Sequence, residues 1–513
     1  MDEFVQRYRE NVTWILSGFD RVLFRGTLRT ITYREGIEAF LSYHRVKLKD
    51  FGLWAERLSR QIKERAKAIA KERGRPLMYV KSSTADKEAI ARRIMERDGV
   101  REGLICVLTC VEPCQSFQVR RDRDSKQLVL APWPRKCLHV YFYFVDREMG
   151  FMHIRLETWL PFTIQVCLNG REYLARRMDR AGIAYVRRDN CFTGIADCKR
   201  AQAMLDDLGR RDWVRFLNAL ARRVNPHVDR RSPLDLHGYY WSIRQSEYAT
   251  DIMFRSAADL QTVYPALSRH AIVHFRCEDI LRFLGRRTNE RFAGEVTSNY
   301  GYRVEGFRVK HRVEENSIKM YDKAGSVLRI ETTINNPRRF RVRRKVTRQG
   351  ERTVIWVAMR KGVADIARRI DLSGAANERY LQALAVVGIS QTTADVLDPV
   401  SRPVCHRGRP QRPLHPITAR ETEVFRVVLG GEFAVQGFRN RDLRDHLYGP
   451  PPNDPHHRRR LSQRINRLLR LLRAHGLIRK ITTTRYYRVT DRGHQVMTVA
   501  LRLRQTNTAL LAA

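Results

Sequence analysis

The sequence predicts an α+β protein of several domains, with mixed and antiparallel sheets, helical insertions and a small helical module at its C-terminal end. Three observations predict it. The chain has 513 residues, more than one ordinary core organises, so two to four domains are expected. Stretches of strand-like alternation are interrupted by stretches of helical period. A Pro- and Arg-rich segment, DPVSRPVCHRGRPQRPLHPIT at 398–418, separates a long body from a compact end. The organisation therefore reads as an N-terminal mixed α/β region over 1–100 and a body over 101–397 with two antiparallel hairpin sheets and a helical middle. A linker over 398–416 and a module over 417–513 follow.

Taken in order, GFDRVLFRGTLRTITY reads as strands, and LWAERLSRQIKERAKAIAKERG as a long basic helix ending at Gly74. Residues 101–200 are rich in strands, with a helix near REYLARRMDRAG. Residues 201–290 are mainly helical, over AQAMLDDLGRRDWVRFLNALARRVN, SAADLQTVYPALSRHAIV and CEDILRFLGRR. Strands return over 295–345 and a helix over 361–392. No internal repeat is present.

Charge narrows the function. Lys and Arg number 97 against 55 Asp and Glu, a net charge of +42, with 43% hydrophobic residues to build cores. Such an excess points to a polyanionic partner, and nucleic acid, most of all DNA, fits because neutralised phosphates release counterions. Arg also grips phosphate with two donors at once. No apolar run reaches the ~18 residues of a membrane-spanning helix, and MDEFVQRYRENVTW has no signal-peptide pattern, so a cytoplasmic protein with no membrane partner is expected. The nine scattered cysteines read as reduced thiols. Cys106, Cys110 and Cys114, in GLICVLTCVEPC, read as structural residues of a buried strand running into a Pro-containing loop. No G-x-x-x-x-G-K-[ST] loop occurs, which argues against an ATP-driven motor.

After the linker, ITARETEVFRVVLGGEF and FRNRDLRDHLY read as two helices. A Pro loop, GPPPNDP, leads to a third, HHRRRLSQRINRLLRLLRAHGLI. Leu461, Ile465, Leu468 and Leu472 make its apolar stripe. Arg458, Arg459, Arg464, Arg467, Arg470 and Arg473 cover much of the rest, and Gly476 closes it. RKITTTRYYRVTDRG then reads as a two-stranded wing carrying Arg485 and Arg488. Three helices and a basic hairpin resemble the bacterial winged helix-turn-helix domains. The resemblance implies a third helix in a DNA groove and a wing on the backbone.

Residues 317–335, SIKMYDKAGSVLRIETTIN, read as a hairpin around Lys323-Ala324-Gly325. That loop sets Tyr321 opposite Val327, Met320 opposite Leu328, Lys319 opposite Arg329 and Ser317 opposite Glu331. A turn at Glu315-Asn316 adds the strand FRVKHRV and sets Lys310 opposite Tyr321 and Arg312 opposite Lys319. One face is apolar and takes His311. The other gathers Arg308, Lys310, Arg312, Lys319, Tyr321, Arg329 and Glu331, and like charges opposed on a sheet favour a phosphate backbone between them. Tyr321-Asp322-Lys323 and Arg329-Ile330-Glu331 resemble the Y-x-K and R-x-E strands of rolling-circle replication initiators and relaxases of mobile elements. The resemblance implies a role for Glu331 beside a DNA-nicking centre.

A second hairpin, CLHVYFYFVDREMGFMHIRLETW at 137–159, pairs His139 with Glu157, Tyr141 with Arg155 and Tyr143 with His153. Its other face is wholly apolar. Opposed Cβ atoms lie ~4.5–5.5 Å apart, so His139 and Glu157 are candidates to share Mg²⁺ or Mn²⁺, or to act as a base and its orienter. Tyr141 and Arg155 beside them also suit a platform for stacked bases, and a plain structural His–Glu pair is the third reading. Weaker candidates are Asp20 with Arg21 and Arg25, the polar-aromatic run Tyr239–Asp251 that holds Gln245 and Glu247, and Tyr380 as a nucleophile. The expectation is a mobile-element DNA-binding protein acting in replication initiation or in strand cleavage and transfer, with Glu331, His139 and Glu157 as catalytic candidates. The competing class is a non-enzymatic DNA- or RNA-binding regulator.

Overall fold

The computed structural model describes residues 2–506 apart from 230, 237, 287–293, 304–305, 349–350, 388–391, 435 and 451–453. A short helix α1 (Asp2–Arg7) leads into strand β1 (Val12–Thr27). Helices α2 (Arg34–Tyr43) and α3 (Phe51–Glu72), strand β2 (Leu77–Tyr79) and helix α4 (Lys87–Arg97) follow. Two long strands, β3 (Gly103–Arg121) and β4 (Leu128–Asp146), precede β5 (Gly150–Glu157) and β6 (Ile164–Asn169). The chain continues through α5 (Gly170–Ala181), a small hairpin of β7 (Tyr185–Arg188) and β8 (Cys191–Ile195), α6 (Cys198–Asp206) and α7 (Trp213–Val224).

Strand β9 (Tyr240–Phe254), helices α8 (Ala257–Val273) and α9 (Cys277–Phe283), and strands β10 (Val296–Arg303), β11 (Gly306–Val313), β12 (Asn316–Lys323) and β13 (Val327–Ile334) come next. A second hairpin, β14 (Arg341–Arg348) and β15 (Glu351–Ala358), precedes α10 (Ile366–Leu384), α11 (Thr393–Leu397) and the short strands β16 (Val404–His406) and β17 (Arg409–Gln411). The C-terminal end comprises α12 (Ala419–Val428), α13 (Asn440–Tyr448), α14 (Pro455–Ala474), β18 (Ile478–Lys480), β19 (Tyr487–Val489) and α15 (Asp491–Gln505).

The fold is mixed α and β around one large sheet. Among the described residues, eleven strands join in the order β10-β11-β12-β13-β9-β1-β6-β5-β4-β3-β2. Pairing is antiparallel throughout except between β2 and β3. The two hairpins expected in separate sheets of the body are therefore two wings of a single sheet. Strand β1, expected to belong to a separate N-terminal region, is its hinge. It pairs with β9 on one side and β6 on the other. Its sixteen residues alternate between buried apolar and polar positions, long enough to span both partners.

On the face opposite the polar positions, Phe142, Ile154, Ile164, Val22 and Phe24 pack with α3, α5 and α7 in one core. At the other wing, Ile318, Met320, Leu328 and Ile330 pack with α8, α9 and α10 in a second. Tyr380 of α10 is fully buried there and shares a hydrogen bond with His311. This places Tyr380 in the core, where burial raises its phenol far above its ordinary value, and removes it from the nucleophile candidates. His311 is buried, as its place on the apolar face predicts.

The segment 398–416, expected to be a Pro/Arg linker, carries structure of its own. Strands β16 and β17 pair as a hairpin, and Val400 and Leu414 sit buried in the C-terminal core with Phe425, Ile465 and Leu472. Of the loop GPPPNDP, residues 451–453 lie outside the described residues. Among the described residues no helix is long and apolar enough to cross a membrane. The nine cysteines are all free, with Cys106 and Cys110 in a small core beneath α4. The Pro113 that was expected to open a loop lies within β3, paired with Lys136.

Candidate functional site

The register decides what meets on the polar face. The hairpin of β4 and β5 pairs His139 with Glu157, Tyr141 with Arg155 and Tyr143 with His153, as the alternation predicts. The hairpin of β12 and β13 is displaced by two residues from the expected register. Its loop is Ala324-Gly325-Ser326, with Ala324 and Gly325 both left-handed at φ 55° and 79°, so Lys319 meets Glu331 and Tyr321 meets Arg329. The turn before β12 is displaced in the same way, at Glu314-Glu315, and sets Lys310 opposite Lys319. A shift of two leaves every side chain on its expected face while changing its partner.

Following the pairs across the sheet puts both polar faces on the same side. Glu331 lies opposite Ala249; two residues along β9, Glu247 lies opposite Arg21 of β1. Arg25 lies opposite Gln165 of β6, Gln165 opposite Arg155 of β5, and Arg155 opposite Tyr141 of β4. One polar strip thus crosses six strands. Its two ends are not one centre, because β13 and β4 are five strand spacings of ~4.8 Å apart, about 24 Å across the sheet alone. The catalytic candidates Glu331, His139 and Glu157 therefore divide between two places.

At the first end the groups are dense. Lys319 Nζ and Tyr321 Oη donate to the two oxygens of Glu331 at 2.6 and 2.7 Å. Arg329 is fully buried and donates to Asp251 at 2.5 and 2.9 Å, to Asp20 at 3.3 Å and to the Asn190 carbonyl at 2.9 Å. Asn190, on the turn between β7 and β8, donates to Asp20 at 2.6 Å, and Arg171 of α5 to Asp251 at 2.8 Å. Arg329 and Tyr321 were expected to contact nucleic acid. The structure instead uses Arg329 to neutralise two buried carboxylates and buries Tyr321 against Glu331.

The electrostatics separate three neighbouring carboxyls. Burial works to raise Glu331, yet Lys319, Tyr321 and Arg329 hold it below the usual carboxylate range. Burial raises Asp20 above that range against the pull of Arg329, with Glu331 adding to the rise. Glu247 is pushed up to about 7, by burial first and then by Glu331 and Asp20, against Lys319 and Arg21. A carboxyl that titrates near neutrality beside one held ionised has the property of a general acid or base. Glu247 is partly open to solvent and takes one hydrogen bond, from Gln245 at 3.0 Å. Exposed Arg21 stands across from it on β1.

At the second end, His139 is fully buried. Its Nδ1 meets the Cys137 carbonyl at 3.2 Å, and its Nε2 lies 3.7 Å from Glu157, beyond a hydrogen bond, and has no partner. Glu157 is flanked by Arg155 at 3.6 Å, while Glu112 accepts from Tyr141 and pairs with Lys87 at 3.0 Å. His139 and Glu157 supply two donors, but among the described residues no group of three metal-ligating side chains forms. Tyr141 is buried and tied to Glu112, so it offers no face for a stacked base.

The C-terminal end presents the other basic surface. Leu461, Ile465, Leu469, Leu471 and Leu472 of α14 are buried, a wider stripe than the one expected, with Leu468 at its margin. Arg458, Arg459, Arg464, Arg467 and Arg470 are exposed. Strands β18 and β19 pair Ile478 with Val489 and Arg479 with Arg488, and Phe438 makes an isolated bridge to Tyr487. Exposed Arg485 and Arg488 lie on this hairpin. Arg343 of β14 ties it to the body, donating to the Gly437 carbonyl at 2.7 Å and lying over the ring of Tyr486.

The other nucleic-acid candidates, Arg308, Lys310, Arg312 and Lys319, form a basic ladder on β11 and β12, with Arg312 exposed and the rest partly so. Asp20 and Glu247 were visible in the sequence only as members of polar runs. The pairing of β1 with β9, and of β9 with β13, is what brings them near Glu331. Compared with known protein families, with curated proteins and with solved structures, the chain matches none.

Proposed function

We propose that this chain is a DNA-binding protein that acts on DNA strands, in replication initiation or in strand cleavage and transfer. The observation that carries the reading is the exposed Arg row of α14 running into the basic hairpin of β18 and β19, after two shorter helices. The order resembles a winged helix-turn-helix, in which α14 would be the groove-reading helix and the hairpin the wing on phosphates. The mobile-element setting rests on the resemblance of Tyr321-Asp322-Lys323 and Arg329-Ile330-Glu331 to rolling-circle initiators.

In this reading the polar strip acts on the strand that the module brings. Lys319 and Arg21 neutralise a phosphate, and Glu247 holds or gives the proton. Arg329, Asp251 and Asp20 keep the strands in place around it. The test is incubation of the full chain with labelled single- and double-stranded DNA, with Mg²⁺ or Mn²⁺ supplied. Cleavage or covalent attachment that Glu247→Gln abolishes supports the reading; cleavage equal in the variant places the chemistry elsewhere. A non-enzymatic nucleic-acid-binding regulator is the second reading. It is favoured by how fully Arg329, Asp251, Asp20 and Glu331 satisfy one another, which a purely structural network also does.

A further inference from the structure

A cavity of about 540 Å³ lies where α15 meets the body, between α1, α8, α9 and α10. Its volume falls within the range of small-molecule sites, which favour such junctions. Its walls combine two chemistries. Phe283, Ala383 and Val499 give apolar surface, while Arg7, Arg282, Arg379 and Arg502 bring four guanidinium groups. The carboxylates on the wall are Glu3 and Asp491, so cations are in excess.

Arg379 is the informative residue. It is 7% exposed. Its hydrogen bonds go to the Phe283 carbonyl, a neutral acceptor. The charges acting on it are Glu378, its neighbour in the chain, and Arg282, which repels it. Arg282 and Arg502 share Asp279, and Arg282 also donates to Thr498 of α15 at 3.2 Å. A buried guanidinium without a close carboxylate is costly unless an anion joins it. Gln382 of α10 reaches Asp491 of α15 at 2.7 Å, so both sides of the cavity are tied.

We propose that this cavity binds a small organic phosphomonoester, with its phosphate against Arg379 and Arg282 and its apolar part against Phe283, Ala383 and Val499. Guanidinium pairs fit phosphate with parallel donors, and the apolar wall asks for more than inorganic phosphate. The same chemistry is offered by a nucleoside monophosphate or by an aryl phosphate. Because the occupant touches α10 and α15 together, it holds the C-terminal end against the body.

The experiment is calorimetric titration of the full chain at near-physiological salt with adenosine monophosphate, phenyl phosphate and inorganic phosphate. Saturable binding of at least one of the two organic phosphates, tighter than inorganic phosphate, is expected. Arg379→Met is expected to weaken it by at least about tenfold. Val386→Glu, at an exposed position on the cavity's rim, serves as a second variant that leaves the core untouched and sets a carboxylate at the mouth; it is expected to weaken binding as well. No saturable binding of either organic phosphate, or unchanged affinity in Val386→Glu and in any folded Arg379→Met, overturns the proposal. Binding of adenosine monophosphate alone selects a nucleotide, and binding of both selects the broader class.

Discussion

At the scale of single residues, Lys319 and Glu331 make the sharpest case. Their 2.6 Å pair is nearly buried on both sides, and Tyr321 completes it. Removing one partner of a buried pair strands the other's charge, at a cost of about 3–5 kcal/mol. Lys319→Met is therefore expected to lower the urea midpoint strongly, and Lys319→Met combined with Glu331→Leu to recover much of it. A double variant no more stable than the single one contradicts the pairing. Glu247 gives a second prediction. Its carboxyl titrates near 7 when folded and near the ordinary 4.5 when unfolded. The native chain holds the extra proton between these values, so this contribution is complete below about pH 4.5 and is lost as pH rises through about 7. Wild type is expected to lose more stability than Glu247→Gln between about pH 5 and pH 8, by on the order of 1–3 kcal/mol. Parallel pH profiles in denaturant unfolding contradict the raised value.

At the scale of elements, α14 ties sequence to packing and function together. Ile465 and Leu472 are fully buried in the C-terminal core. Ile465→Ala is expected to cost about 2–5 kcal/mol through the cavity it leaves, read as a lowered melting temperature, whereas Arg464→Ala on the exposed side is expected to leave stability within about 0.5 kcal/mol. The same helix shows what was legible. Its stripe, its Arg row and the hairpin after it follow from spacing alone. The hairpin of β4 and β5 was legible to the exact partner, because one of its faces, with Val140, Phe142, Phe144, Met152, Ile154 and Leu156, is wholly apolar. The hairpin of β12 and β13 was legible only to the face. Its loop uses Ala324 in a left-handed conformation that alanine seldom adopts, so Gly325 alone misplaced the turn by one residue and the register by two.

At the scale of the whole molecule, the continuous sheet is the feature that local pattern does not carry. Strand β1 joins β6 and β9, which lie roughly 140 to 240 residues further along the chain, and no periodicity in β1 names those partners. The site depended on this. Asp20, Glu247 and Glu331 come from three strands that only the topology makes neighbours. The close packing behind β1 offers a test: a Cβ on Gly170, at the start of α5, falls 1.9 Å from the Phe19 carbonyl. Gly170→Ala is expected to destabilise the chain by about 1–3 kcal/mol, with a single lower melting transition.

The segment 398–416 teaches the same lesson, since its Pro and Arg content hides Val400 and Leu414 packed into the C-terminal core. The charge of +42 was legible from composition, and part of it lies on the α14 surface and the β11–β12 ladder. The most direct measurement of the central claim is duplex DNA affinity as a function of salt, by fluorescence anisotropy, for the wild type and for a variant with Arg464, Arg467, Arg485 and Arg488 all changed to Ala. Each phosphate contact contributes about 0.9 to the slope of log affinity against log salt. The predicted result is weaker binding with a slope shallower by about 3–4. Wild-type affinity with an unchanged slope would contradict the assignment of this surface to DNA.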